Sequence, residues 1–244
     1  MKSDCLETTA QSDSFFSYCA GTALYMMKEY SLQNGIELNI TKMTLPVKAG
    51  LSSSAAICVL IVRAFNILYE LNMSTEEEMF AAYMGECLTK SRCGRMDQAC
   101  AYGTRPIVMT FDSDKISTCE IKIAKPVYIV FCKLNGSKNT IKILQSLNKA
   151  YPFPYSDSEI ELHNTFGKRN NAIVTEAVKA MENGAAEILG RLMQEAQKYF
   201  DDYVRPFCPD ELNAPNLHRL LSDDTVAELT YGGKGVGSGG DGCA

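Results

Sequence analysis

The stretch Leu45-Pro-Val-Lys-Ala-Gly-Leu-Ser-Ser-Ser-Ala-Ala56 runs directly into an apolar segment ending near Leu71, and nothing else in the chain restricts the fold so strongly. Ala55 to Leu71 is apolar almost all round, which predicts a buried helix. That helix opens on three serines preceded by a glycine. Glycine lets backbone approach a ligand closely, and a helix N-terminus offers N–H groups without intrahelical partners and the positive end of the macrodipole. Phosphate is the natural guest of such an end. The serine hydroxyls have three uses open to them: capping the helix, binding phosphate oxygen, or ligating magnesium. On the loop alone, Ser52 as an ordinary N-cap stands level with the functional readings. The GxxxxGK[ST] phosphate loop is absent, and the nearby Lys48 precedes the glycine.

Composition narrows the class. A chain of 244 residues, 46% apolar and 22% charged, buries a real core and has room for one large domain or two small ones. A net charge of -5, with no clustered basic face in the sequence, argues against a nucleic-acid partner. The ten cysteines are scattered without a CxxC pair, and Cys58 and Cys132 sit in apolar stretches, so buried reduced thiols are expected. Asp4, Glu7 and Asp13 interrupt any secretory leader, and Arg63 breaks the longest apolar run, which falls short of the roughly 20 residues a bilayer demands. A cytoplasmic protein with no membrane partner is the expectation. Only His163 and His218 are present, in unrelated contexts, which leaves a zinc site or a serine-histidine triad without support.

Periodicity predicts a helix over Ser12 to Tyr30 capped by Ser12 or Asp13, then a half-buried strand from Ile36 to Met43 feeding the serine loop. Ser74-Thr-Glu-Glu77 is a capping box opening a helix to about Thr89. A glycine-containing turn follows, then a short helix from Met96 to Tyr102 closed by Gly103, a strand from Pro106 to Phe111, and two strands within Ile121 to Phe131. Beyond Ser137 helical periodicity dominates, through Leu147, from Glu159 to Met181, from Ala185 to Phe200 and from Pro209 to Leu221. The expected fold class is α+β, with a domain boundary that separates residues 1–125 from residues 126–244.

Two further constellations bear on chemistry. In Glu86-Cys-Leu-Thr-Lys-Ser-Arg-Cys-Gly-Arg-Met-Asp-Gln98, two carboxylates lie eleven residues apart around a glycine turn. One is able to hold magnesium while the other takes a proton from an attacking hydroxyl, the division of labour phosphoryl transfer requires. Singly, Glu86 reads as a surface helix charge and Asp97 as an N-cap. At the chain end, Gly232-Gly-Lys-Gly-Val-Gly-Ser-Gly-Gly-Asp-Gly-Cys243 contains a formal GxGxxG in Gly235, Gly237 and Gly240. A dinucleotide-binding reading fails, because no βαβ unit surrounds it. A disordered glycine tail is the bland alternative.

The three segments, in this order and at these separations, resemble the signature motifs of the GHMP kinases, a family that includes galactokinase, homoserine kinase, mevalonate kinase and phosphomevalonate kinase. The resemblance spans roughly residues 36 to 244. It implies a two-lobed GHMP-kinase fold, in which an N-terminal lobe holds the serine loop and Asp97 and a C-terminal lobe returns the glycine loop to the cleft. By this likeness ATP phosphates are wrapped by Pro46, Gly50, Leu51, Ser52, Ser53, Ser54 and Ala55, with Gly237, Ser238, Gly239 and Gly240 beside them. Ser54 and Glu86 are the implied magnesium ligands and Asp97 the implied catalytic base. Met96-Asp97-Gln98 looks like galactokinase in particular, which implies ATP-dependent phosphorylation of a sugar at its anomeric hydroxyl. A mevalonate- or homoserine-type kinase and a non-catalytic ATP- and sugar-sensing protein are the alternatives. Arg95 and Asp241 depart from the family pattern, and no segment matches the galactokinase substrate motif Gly-Arg-x-Asn-Leu-x-Gly-Glu-His. A chain truncated at both ends is therefore expected.

Overall fold

The computed structural model describes residues 3–45, 51–90, 94–112, 115–136 and 138–244. The chain divides into two compact units, Met1–Cys119 and Glu120–Ala244.

The first unit is built around the predicted apolar helix. Four helices, α1 (Ser3–Ala10), α2 (Phe16–Glu29), α3 (Ser53–Leu68) and α4 (Thr75–Cys87), precede a 3-10 segment, Asp97–Tyr102, and the hairpin strands β1 (Ile107–Asp112) and β2 (Lys115–Glu120). Ile57, Cys58, Ile61, Val62 and Phe65 of α3 pack with Met26 of α2 and Met79, Ala81 and Ala82 of α4. Phe65 is wholly buried, a contribution of about 2–3 kcal/mol from one side chain. The capping box at α4 is present in full: Ser74 Oγ accepts from Glu77 N, and Glu77 Oε2 accepts from Ser74 N. Gly103 closes the 3-10 segment at φ 69°, as its position after Tyr102 predicts.

Helices α2 and α4 cross with their backbones nearly touching. A Cβ on Gly85 would lie 2.5 Å from Thr22 Cα, and one on Gly21 would lie 2.6 Å from the Gly85 carbonyl oxygen. No side chain fits there.

The structure departs from the predicted elements where a strand has no neighbour. Residues 36–43 form no strand, and Leu38, Ile40 and Met43 are exposed. Alternation makes a strand only where a second strand takes up its hydrogen bonds, and among the described residues none does so here. The two strands expected within residues 121–131 are also absent, and the strand in this region is β2, just upstream. Helix α2 begins at Phe16, later than predicted, and Ser12 and Ser14 stabilise the turn before it through Ser14 N and Phe16 N. The turn follows α1, whose short amphipathic run the periodicity did not single out.

The second unit is largely helical: α5 (Thr140–Asn148), α6 (Asp157–Asn164), α7 (Asn170–Glu182), α8 (Ala186–Tyr203), α9 (Pro209–Leu212), α10 (Pro215–Leu221) and α11 (Asp224–Leu229). Its core joins Ile143 and Leu147 of α5 with Leu162, Val204, Cys208 and Leu212. A single π turn, Thr165–Arg169, separates α6 from α7 inside the helix expected over Glu159 to Met181. The helix expected over Pro209 to Leu221 is broken at Ala214, which sits at φ 42°, because Pro215 cannot donate a hydrogen bond and disfavours helical backbone before it.

The glycine-rich end is ordered. Cys132 and Ala244 exchange backbone hydrogen bonds of 2.9 Å, and Lys133 pairs with Cys243 in an antiparallel bridge. Asp241, the departure from the family pattern, has a structural task. Its carboxylate accepts from Leu217 N at 2.9 Å, Asn216 N at 3.2 Å and Asn216 Nδ2 at 3.0 Å, capping α10. Gly136 leaves room for it, since a Cβ there would strike the Asp241 side chain.

Two substitutions test this packing by chemical denaturation of the full chain. Gly85→Ala is expected to cost about 2–3 kcal/mol by forcing α2 and α4 apart, while Gly35→Ala, which meets nothing within 4 Å, leaves the midpoint unchanged. Asp241→Gly, which would restore the residue the family favours, is expected to lower stability by about 2 kcal/mol through loss of the α10 cap.

Candidate active site

The first unit gathers the serine loop and the two carboxylates around α3. Ser52 is the N-cap residue of α3 but holds a left-handed backbone, φ 53° and ψ 39°, and its hydroxyl makes no capping hydrogen bond. A non-glycine residue in that region is strained, and the strain turns the chain sharply into the helix. The bland reading of Ser52 as a side-chain cap therefore fails. Leu51, Ser52, Ser53 and Ser54 are half-buried and Ala55 is fully buried, so the first turn of α3 is seated in the unit with its serines at the surface. Pro46 and Gly50 lie outside the described residues.

Glu86 is not the surface charge that helix periodicity alone suggests. It is wholly buried in the last turn of α4, directly after Gly85 at the close crossing. Its Oε2 accepts from Gln98 Nε2 at 2.9 Å, and Gln98 is equally buried. That bond fastens the 3-10 segment, and with it the preceding residue Asp97, to α4. Asp97 is half-buried at the first position of the segment. Two thiols register the neighbouring charges. Burial raises the Cys58 thiol pKa, and Glu86 raises it further; Cys58 lies one turn below Ser54 on the same face of α3. Burial and the Asp97 charge, with a smaller share from Glu86, push Cys100 up to about 11. The Glu86 charge thus reaches a thiol of α3 and a thiol of the 3-10 segment, and the Asp97 charge reaches the second of these.

A polar network absent from the sequence reading holds this arrangement. Arg63 crosses from α3 to α4, donating from Nε and Nη2 to Glu78 Oε2 at 2.9 and 2.6 Å, and Nη2 also donates to the Ala101 carbonyl at 2.8 Å. Asn66 Nδ2 donates to Glu78 Oε1 at 2.8 Å. Arg63 thus ties three elements, reaching α4 through the buried Glu78 carboxylate and the segment that carries Asp97 through the Ala101 carbonyl. The sequence signal was an arginine inside an otherwise apolar helix, which reads as an interruption until its partner is known. Gln98 was visible only as part of a likeness. Arg95, the other departure from the pattern, lies with its guanidinium 5.5 Å from the Tyr83 ring centroid.

The oxygen donors suit magnesium, which takes one or two protein ligands and leaves its remaining positions to phosphate and water. The hydroxyl of Ser54 and the carboxylate of Glu86 are oxygen donors of that kind. Among the described residues no cluster of three or more His, Cys, Asp or Glu is arranged to hold a metal alone. No helix among them is long and apolar enough to cross a membrane.

In the second unit the glycine loop is fixed by side chains around it. Gly235 N donates to Gln197 Oε1 at 2.8 Å, Lys138 Nζ donates to the Val236 carbonyl at 3.1 Å, and Ser238 Oγ lies 3.3 Å from Thr140 Oγ1. Gly237, Gly239 and Gly240 all have left-handed φ, at 64°, 78° and 74°. Gly239 lies flat on the Phe200 ring, where any side chain would collide.

Residues 17–104 match the family model described as the GHMP kinases N terminal domain. The chain is 24% identical to the galactokinase of Roseiflexus sp. (strain RS-1), over 93% of this chain and 64% of that protein. It is 26% identical to the homoserine kinase of Methanococcus maripaludis, over 86% of this chain and 63% of that one. The chain thus spans somewhat less than two thirds of the length of these relatives. Its fold matches Lactococcus lactis galactokinase complexed with galactose with a TM-score of 0.68 at 17% identity, covering 97% of this chain and 68% of that one. The mevalonate kinase of L. major, in complex with R-mevalonate, matches with a TM-score of 0.67 at 17% identity, over 96% of this chain and 69% of that one. The matched segment, the relatives and the shared fold all point one way: the chain carries a segment matching the GHMP kinases N terminal domain, and its fold is that of the GHMP kinases it resembles, galactokinase among them.

Proposed function

We propose that the chain transfers the terminal phosphoryl group of ATP to a hydroxyl of a small molecule, and that the acceptor is a sugar phosphorylated at its anomeric hydroxyl. The buried Gln98–Glu86 hydrogen bond supports this reading most directly, because it ties the segment that begins at half-buried Asp97 to a buried carboxylate of α4. Asp97 accepts the proton of the attacking hydroxyl as its oxygen bonds to the terminal phosphorus, and the bond from that phosphorus to the bridging oxygen breaks. The N–H groups and hydroxyls of Ser52, Ser53 and Ser54 hold phosphate oxygens at the positive end of α3, with Pro46, Gly50, Leu51 and Ala55 shaping the approach. Ser54 and Glu86 would hold magnesium, which would neutralise phosphate charge. In the second unit, Gly237, Ser238, Gly239 and Gly240 are the further phosphate-binding residues that the resemblance implies. The protein acts in the cytoplasm, in carbohydrate metabolism, with neither nucleic acid nor membrane as partner.

The homoserine kinase relative and the mevalonate kinase fold match favour a second reading, a kinase of the same chemistry acting on one of those acceptor types. A sensor that binds without turnover is less well supported, since Ser54, Glu86 and Asp97 are all present.

ADP release against a panel of sugars, mevalonate and homoserine tests the reading. A sugar is expected to give turnover. Asp97→Asn is expected to lower kcat on the active acceptor by roughly 10²–10⁴-fold with ATP binding retained; an undiminished rate would remove Asp97 as the base. Ser54→Ala is expected to weaken magnesium-ATP binding at least tenfold while acceptor affinity holds, whereas equal loss of both would contradict its metal role.

A further inference from the structure

A helix that buries Ile61, Val62 and Phe65 has no packing need for a guanidinium, yet Arg63 stands among them in α3. Its side chain is 37% exposed, and that of Glu78, its partner on α4, only 7%. Replacing such a pair by apolar residues of similar volume is often neutral or stabilising. The two bonds to Glu78 Oε2 suffice to join α3 to α4. The third, from Nη2 to the Ala101 carbonyl at 2.8 Å, leaves the helix pair and reaches the last turn of the 3-10 segment.

That segment begins at Asp97 and has the poorer hydrogen-bond geometry of a 3-10 turn, so its attitude depends on what fastens it from outside. Three of its residues are so fastened. Gln98 holds to Glu86 of α4, and Tyr102 Oη lies 2.6 Å from Glu76 Oε1 of α4 and 2.6 Å from Thr118 Oγ1 of β2. Ala101, itself buried, is held by Arg63. Of these three ties, that of Arg63 is the one to α3, the helix whose first turn carries Ser54. The placement suits the charges as well. A cation complements the carbonyl end of a helical turn and an acid its amide end, where Asp97 stands. Cys100, between the two ends, registers both: burial raises its thiol pKa, the Asp97 charge raises it further and the Arg63 charge lowers it.

We propose that Arg63 is a positioning residue for phosphoryl transfer: by gripping the Ala101 carbonyl from α3, it fixes the 3-10 segment in the attitude that lets Asp97 accept the proton of the attacking hydroxyl. The proposal rests on the reading of Asp97 as the base.

Arg63→Met combined with Glu78→Met removes the tie without stranding a buried carboxylate, and this double variant is expected to unfold near the wild-type denaturant midpoint. On the acceptor found active, its kcat is expected to fall roughly 10–10²-fold with KM for ATP unchanged. The loss is expected to vanish in the Asp97→Asn background, where no base remains to be misplaced. Hydrogen exchange gives a readout independent of turnover. The Ala99 and Gly103 amides, which donate to the Met96 and Cys100 carbonyls, are expected to exchange about tenfold faster in the double variant, while amides within α2 keep their wild-type rates. Should the double variant not fold, Arg63→Lys carries the same expectations, because it keeps a cation against Glu78 and gives up the planar fork that spans two acceptors. A purely structural Arg63 would lower the midpoint with kcat and exchange unchanged, or lower kcat equally with and without the Asp97 carboxylate; either result overturns the proposal. No turnover by the wild-type chain on any acceptor, or an undiminished kcat in Asp97→Asn, overturns the kinase reading and the proposal together. A reduced kcat in Asp97→Asn beside a wild-type kcat in the Arg63 variants overturns the proposal alone.

Discussion

The near contact of two helix backbones at Gly21 and Gly85 is the constraint from which the first unit follows. It draws the last turn of α4 into the interior and carries Glu86 out of water. A buried carboxylate is costly without donors. Gln98 provides one, and because Gln98 begins the turn that follows Asp97, satisfying Glu86 also fixes the second carboxylate. The same logic recurs about two turns earlier in α4, where Glu78 is buried and Arg63 and Asn66 satisfy it. Arg63 then reaches the Ala101 carbonyl, so the 3-10 segment is held near both ends, at Gln98 and Ala101. Polar groups buried for geometric reasons here organise the chemistry around them.

The second unit uses glycine for a different purpose. Left-handed turns at Gly237, Gly239 and Gly240 bend the chain so tightly that backbone lies against Phe200 and Lys138 without an intervening side chain. Asp241 stands where the family favours glycine, and its carboxylate serves the α10 cap that Pro215 makes necessary, since a helix starting on proline at a broken junction leaves its next N–H groups exposed to the interior.

Much of the helical framework was legible because its signals are local. Ser74 and Glu77 are three residues apart and their reciprocal bonds need nothing distant; Gly103 terminates a turn by its own φ. The serine loop was legible as a helix start but not as a strained one, since the left-handed backbone of Ser52 leaves no mark on residue type. Residues 36–43 and 121–131 have strand composition, yet a strand is a property of a pair, and pairing partners cannot be read from one segment. For the candidate site, residue types and spacing singled out Glu86 and Asp97 without saying what links the elements that carry them. The link is Gln98, a residue whose importance lies in a contact twelve positions away. Arg63 was hidden in the same way, by a partner on another helix.

The central claim is that Ser54, Glu86 and Asp97 form one site, in which the first two hold the metal of a bound nucleotide and the third remains available to the acceptor. Anomalous diffraction from the full chain crystallised with manganese and a non-hydrolysable ATP analogue measures this directly. The account predicts a metal peak bonded to Ser54 Oγ and a Glu86 carboxylate oxygen, with phosphates at the start of α3 and Asp97 facing the terminal phosphate. A metal bound away from Ser54 and Glu86, or phosphates seated away from the serines, would contradict it.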